Sequence, residues 1–123
     1  MDNFNFIKEK SFDERVQLSQ KILSRHPYKV PIIVETSNRH LKLSRNKFVV
    51  PNDIKMGQFI FTLRKYIDNI TSDEALFLLC VNERDRHGIL APVASLIGEC
   101  YDSFQTECGF LLIRVEKEST FGL

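Results

Sequence analysis

The residue best suited to chemistry on the chain itself is Gly122, next to the last position. The stretch Glu118-Ser119-Thr120-Phe121-Gly122-Leu123 sets it on a short polar tail behind an aromatic residue. Without a Cβ, glycine offers an enzyme that threads and activates its carboxylate the least steric hindrance and the widest backbone freedom. Leu123 would mask that carboxylate until a protease removed it. Elsewhere the reactive residues form no catalytic constellation. His26, His40 and His87 lack metal-ligand spacing. Cys80, Cys100 and Cys108 lie in apolar or helical contexts without a C-x-x-C pair, so buried reduced thiols are expected. No glycine-rich phosphate loop occurs. The expectation is therefore a protein without intrinsic catalysis, metal or cofactor.

Composition narrows the class. The chain has 123 residues, 43% hydrophobic and 27% charged, which fits one soluble globular domain with a single real core. Ten phenylalanines against no tryptophan will supply much of that core. A net charge of +1 gives no global reason to expect nucleic acid. Met1-Asp2-Asn3-Phe4 carries no basic n-region, and the longest apolar run, residues 75–81, is far too short to cross a bilayer. A cytosolic or nuclear compartment is expected.

The elements that must carry the tail are legible in order. Residues 2–10 mix Phe4, Phe6 and Ile7 with charge and suit one short helical turn. Ser11-Phe12-Asp13-Glu14 is a capping box, predicting a helix to about Arg25 with Phe12, Val16 and Leu23 near one stripe. His26-Pro27 ends it. Val30-Pro31-Ile32-Ile33-Val34-Glu35 reads as a strand, in which Pro31 requires an edge or end position. Lys47-Phe48-Val49-Val50-Pro51 reads as its antiparallel partner. Asn52-Asp53 is helix-start chemistry, followed by Met56, Phe59, Ile60, Leu63 and Ile67 at spacings of three and four. Residues 75–81 form a continuous apolar strand, residues 92–101 a short helix opened by proline, and residues 110–115 the last strand. A hairpin, a crossover helix and two later strands make an α+β β-grasp. Its four-stranded mixed sheet places the first and last strands parallel at the centre. Two additional N-terminal helices cover the face opposite the main helix. The organisation expected is an N-terminal helical extension over residues 1–26, the sheet domain over 27–117 and a tail over 118–123.

These landmarks, in this order and spacing, resemble the GABARAP-type ubiquitin-like modifiers of autophagy, the autophagy-related protein 8 family. The resemblance runs from about Ser11 to Leu123. It rests on Ser11-Phe12-Asp13-Glu14-Arg15, the two hairpin strands from Lys29 and Lys47, Met56-Gly57-Gln58-Phe59, Arg64-Lys65, Ala75-Leu76-Phe77, Gly109-Phe110-Leu111 and Phe121-Gly122-Leu123. It implies trimming by a cysteine protease between Gly122 and Leu123, then activation and transfer by ubiquitin-like activating and conjugating enzymes. Phosphatidylethanolamine would be attached through Gly122, carrying a cytoplasmic protein onto autophagosomal or related membranes. Two acyl chains suffice for stable attachment where one is marginal.

The resemblance also implies a groove for cargo receptors and adaptors with short aromatic-x-x-aliphatic motifs, added as a strand to residues 47–50. Ile22, Pro31, Lys47, Val49 and Phe110 would line the aromatic pocket. Phe48, Val50, Pro51, Ile54, Phe59 and Leu63 would line or support the aliphatic one. Lys29, Arg45 and Lys47 would meet acidic residues flanking the motif. Leu18 and Tyr66 depart from the family pattern, Tyr66 standing where a base commonly continues Arg64-Lys65. Two other classes compete: a non-conjugated soluble adaptor keeping the groove, and a nucleic-acid-binding β-grasp, which would bind with strong salt dependence.

Overall fold

The computed structural model describes residues 1–118; the expectations for Gly122 and Leu123 fall outside them. The first helix, α1 (Asn5–Glu9), is too short to hold itself together. It is fixed from outside: the Glu35 carboxylate accepts the amide protons of Asn5 and Phe6 at 2.9 and 3.1 Å. Negative charge at a helix N-terminus satisfies orphan donors and complements the dipole. Phe4 and Phe6 are buried beneath it.

Helix α2 (Phe12–Arg25) begins as the capping box requires, with Glu14 N–H donating to Ser11 Oγ at 3.2 Å and Ser11 N–H to Glu14 Oε1 at 3.0 Å. Its sheet-facing line is not the expected one. Arg15 and Ser19 are buried, while Val16, Leu18 and Ile22 pack partly against the core. Phe12, expected in the stripe, is 46% exposed, with only the Arg15 guanidinium over its ring at 5.6 Å. The aromatic anchors at this end of the molecule are Phe4 and Phe6, so the first turn of α2 has no apolar site left to fill.

Strands β1 (Lys29–Glu35) and β2 (Lys47–Pro51) form the antiparallel hairpin. Helix α3 (Met56–Arg64) follows, then β3 (Leu76–Val81), β4 (Ile89–Leu90), α4 (Ile97–Phe104) and β5 (Leu111–Lys117). The sheet order is β2-β1-β5-β3-β4, with β1 and β5 parallel and the other pairs antiparallel. The expected fold class holds, but the sheet has five strands where four were expected. The fifth, β4, is two residues behind Gly88, which turns at φ +94°. Two residues carry no periodicity to read.

Both later helices start downstream of their sequence signals for one reason. The segments before them bond to each other instead of entering the helices. Ile97 N–H donates to Ile54 O and Gly98 N–H to Asn52 O, each at 2.8 Å. In return Met56 N–H donates to Ser95 O at 2.8 Å and Gly57 N–H to Val93 O at 3.0 Å. Each helix thus finds partners for its first amides on the other's lead-in loop.

The sheet separates two apolar clusters by strand parity. Val30, Ile32, Val34, Leu111, Ile113 and Val115 face α3 and α4 with Phe59 and Leu63. Ile33, Leu112, Val81 and Phe110 face the N-terminal helices with Phe4 and Phe6. Burial on both faces explains why β1, β3 and β5 show no polar alternation.

Candidate functional site

Among the described residues, strand β2 has a partner on one side only. The direction of its backbone groups follows from the hydrogen bonds at its ends. Val34 N–H donates to Asn46 O at 2.8 Å, and Asn52 N–H donates to Tyr28 O at 3.0 Å. Positions 46 and 52 therefore face β1. Successive residues point their backbone groups to opposite sides, so Phe48 and Val50 also face β1, while Lys47, Val49 and Pro51 face outward. Lys47 and Val49 present N–H and C=O groups along this edge. Pro51 ends the run without costing the hairpin a bond, since its missing donor would have pointed away from β1. Pro31 is neither on an edge strand nor at the end of β1: it pairs with Val49 and is tolerated because it stands one residue before the β1–β5 ladder begins at Ile32.

Side chains sort across the same strand. Pro31 lies opposite Val49, and Ile33 opposite Lys47. Val49 and Lys47 thus share the face of Ile33, Phe110 and Ile22, whose core is the N-terminal cluster. Phe48 is buried on the other face with Phe59, its ring edge-on at 5.4 Å, while Leu63 is fully buried and Val50 and Ile54 pack partly there. The structure therefore assembles the two expected residue groups on opposite faces of one free edge. Pro51, at the end of the strand opposite Lys29, falls by alternation on the Lys47–Val49 side.

Phe110, Phe48, Phe59 and Leu63 are buried in the two apolar clusters, whereas Val49 is 37% exposed. Phe110 is itself held edge-on by Phe6 at 4.8 Å, which ties it to the N-terminal segment. Lys29, Arg45 and Lys47 are exposed around the edge. Among them Arg45 is already engaged: its Nε donates to Lys47 O at 2.9 Å, and its guanidinium lies over Phe48 at 4.9 Å and Tyr66 at 5.4 Å. The sequence reading marked Tyr66 as a departure but did not foresee its place against Phe48 and Arg45. Its ring packs edge-on to Phe48 at 5.4 Å, a tertiary contact that no local pattern announces. On the outer side of α2, Lys10, Glu14, Gln17, Leu18 and Lys21 line a shallow depression of about 300 Å³.

The base of the tail is fixed as well. Lys117 Nζ pairs with Glu74 at 3.2 Å, and Glu118 N–H donates to Ala75 O at 3.1 Å. Thr71 N–H, the Lys117 ammonium and the Thr71 hydroxyl together hold the Glu74 carboxyl below its ordinary range. The thiols point away from nucleophilic chemistry. Burial pushes Cys80 up to about 12 and raises Cys100, which disfavours the thiolate.

Comparison with known proteins identifies the family and the fold. The family described as "Autophagy protein Atg8 ubiquitin like" matches residues 14–122. Autophagy-related protein 8c of Arabidopsis thaliana is 32% identical, covering 100% of this chain and 99% of its own length. Autophagy-related protein 8 of Schizosaccharomyces pombe is 33% identical, covering 91% and 88%. Among solved structures, Trypanosoma brucei ATG8 superposes with a TM-score of 0.81 at 29% identity, covering 94% of this chain and 96% of that one. Plasmodium falciparum Atg8 in complex with a Plasmodium falciparum Atg3 peptide gives 0.74 at 27% identity, covering 89% and 92%. This chain belongs to the Atg8 family of ubiquitin-like autophagy proteins.

Proposed function

We propose that this protein is a conjugated autophagy modifier that gathers peptide-bearing partners on a membrane. A cysteine protease removes Leu123, activating and conjugating enzymes carry Gly122, and phosphatidylethanolamine becomes its partner in an amide bond. Receptors and adaptors then dock an aromatic-x-x-aliphatic segment along β2. The observation that carries the docking reading is the β2 edge left unpaired among the described residues, with Lys47 and Val49 facing outward between the two apolar clusters. Added strands gain affinity from backbone hydrogen bonds and specificity from side-chain pockets. The Plasmodium neighbour's complex with an Atg3 peptide supports a peptide-binding surface in this fold.

Val49→Pro tests this reading with little harm to the hairpin, because the N–H it deletes faces away from β1. Titration with a peptide carrying an acidic flank, a tryptophan and a leucine should show affinity falling at least about tenfold, the effect expected of a central interface anchor. Asp102→Ala, on the exposed side of α4, is the control and should bind like the parent. Equal binding by a folded Val49→Pro protein would place the groove elsewhere.

A further inference from the structure

We propose that Glu74 and Lys117 form a clasp that fixes where the tail leaves the domain, and that this clasp positions Gly122 for trimming. The inference rests on the conjugation reading above and adds a positioning pair to it. Strand β5 lies at the centre of the sheet, and its last side chains are tied to the ends of both neighbouring strands. Beyond β1, Ser37 N–H donates to Glu116 Oε1 at 3.3 Å, and the Ser37 hydroxyl donates to the same oxygen. Ahead of β3, Lys117 Nζ lies 3.2 Å from Glu74 Oε2, and Glu118 N–H donates to Ala75 O at 3.1 Å. Successive residues of the exit thus hold opposite flanks.

Glu74 is held in place independently of Lys117. Arg64, on the last turn of α3, donates through Nη2 to Glu74 O at 2.7 Å and lies 3.2 and 3.3 Å from the carbonyls of Thr71 and Ser72. Thr71 N–H donates to Glu74 Oε1 at 3.2 Å, which leaves Oε2 for the lysine. The end of α3, the turn over residues 71–74 and the end of β5 are thereby joined. The Lys117 and Glu74 side chains are only 18% and 31% exposed, so salt screens this pair less than a fully solvated one.

Four residues, 119–122, lead from Glu118 to the Gly122 carboxylate, and fully extended they span at most about 14 Å. A protease that grips the domain and draws in the tail binds two linked elements. The slack between them sets the effective concentration of the second. Each loose residue also adds conformational entropy that binding must remove. With the clasp closed, only residues 119–122 supply slack; with it open, Lys117 and Glu118 join them. The clasp therefore acts on capture of the tail. It leaves untouched the step in which water adds across the Gly122–Leu123 amide to give the Gly122 carboxylate and the Leu123 amine.

The test follows trimming of the full chain by a purified Atg8-trimming cysteine protease, read by intact mass, for the parent, Lys117→Met, Glu74→Gln and Lys117→Arg. Lys117→Met and Glu74→Gln should raise KM about 3- to 10-fold with kcat unchanged, the size of one lost charge-assisted hydrogen bond. Lys117→Arg keeps the pair and should keep the parent's KM. As salt is raised, the ratio of KM between Lys117→Met and the parent should fall towards one. In the free Lys117→Met protein the Glu118 amide should exchange faster with water than in the parent, while the amides of residues 111–115 stay protected and report an intact fold. An unchanged KM in both Lys117→Met and Glu74→Gln, or a lower kcat at unchanged KM, would overturn the clasp alone. So would a raised KM in Lys117→Met without one in Glu74→Gln, since the protease would then be reading the lysine directly. A parent that is not cut between Gly122 and Leu123 would remove the conjugation reading and the clasp together.

Discussion

Phe6 and Phe12 are the same residue type six positions apart, and the fold treats them oppositely. Phe6 is 5% exposed and meets Phe110 edge-on, whereas Phe12 is 46% exposed at the start of α2. Phe6→Ala should cost about 3–5 kcal/mol, the usual loss for a buried phenylalanine. Phe12→Ala should cost less than about 1 kcal/mol, as surface truncations do. Chemical denaturation of both variants checks the contrast. Periodicity put Phe12 in the packed stripe of α2, and the structure leaves it exposed, because no local pattern says that Phe4 and Phe6 reach the sheet first. The contact between Arg45 and Tyr66 was hidden for a similar reason, since it joins segments 21 residues apart. A second residue-scale expectation concerns Cys80, whose thiol is raised from 9.0 to about 12 by burial. Between those values the unfolded chain releases this proton while the native state keeps it, so stability should fall as pH rises through that window. Cys80→Ala should flatten the slope there in equilibrium unfolding, and an unchanged slope would show that another group sets it.

At the scale of elements, the strong periodic segments were legible and the lead-in loops were not. The capping box at Ser11, the stripe of α3 and the apolar runs of β1, β3 and β5 each express local physics, and each appears within a few residues of its expected place. The starts of α3 and α4 shifted because the carbonyls of Asn52 and Ile54 accept from the first amides of α4, and those of Val93 and Ser95 from the first amides of α3. The turn before β5 illustrates the same dependence. Gly109 has φ +91°, and a Cβ there would lie 2.6 Å from Ser19 Oγ, which donates to Cys108 O at the same distance. Gly109→Ala would strain the backbone and displace the hydroxyl that docks α2 on this turn. A loss of about 1–3 kcal/mol is expected, the range for a strained backbone position. Thermal unfolding measures it, and an unchanged midpoint would mean that α2 shifts freely.

At the scale of the whole molecule, the β-grasp frame joins the two ends to which the proposed function assigns work. The β2 edge lies at one border of the sheet, while β5 at its centre leads out through Glu118 towards the tail. A domain so arranged can be tied to a surface by its carboxyl end and still present a free strand to a partner. The reading of the tail rests on residue order alone, Phe121-Gly122-Leu123 behind a polar spacer, and these residues lie outside those the structure describes. The most direct test of the account is the intact mass of the protein recovered from cell membranes, for the parent and Gly122→Ala. The account predicts a parent chain lacking Leu123 and carrying phosphatidylethanolamine, and no such species from a folded Gly122→Ala. Parent protein recovered with Leu123 still attached and no lipid, or normal amounts of lipid-linked Gly122→Ala, would contradict it.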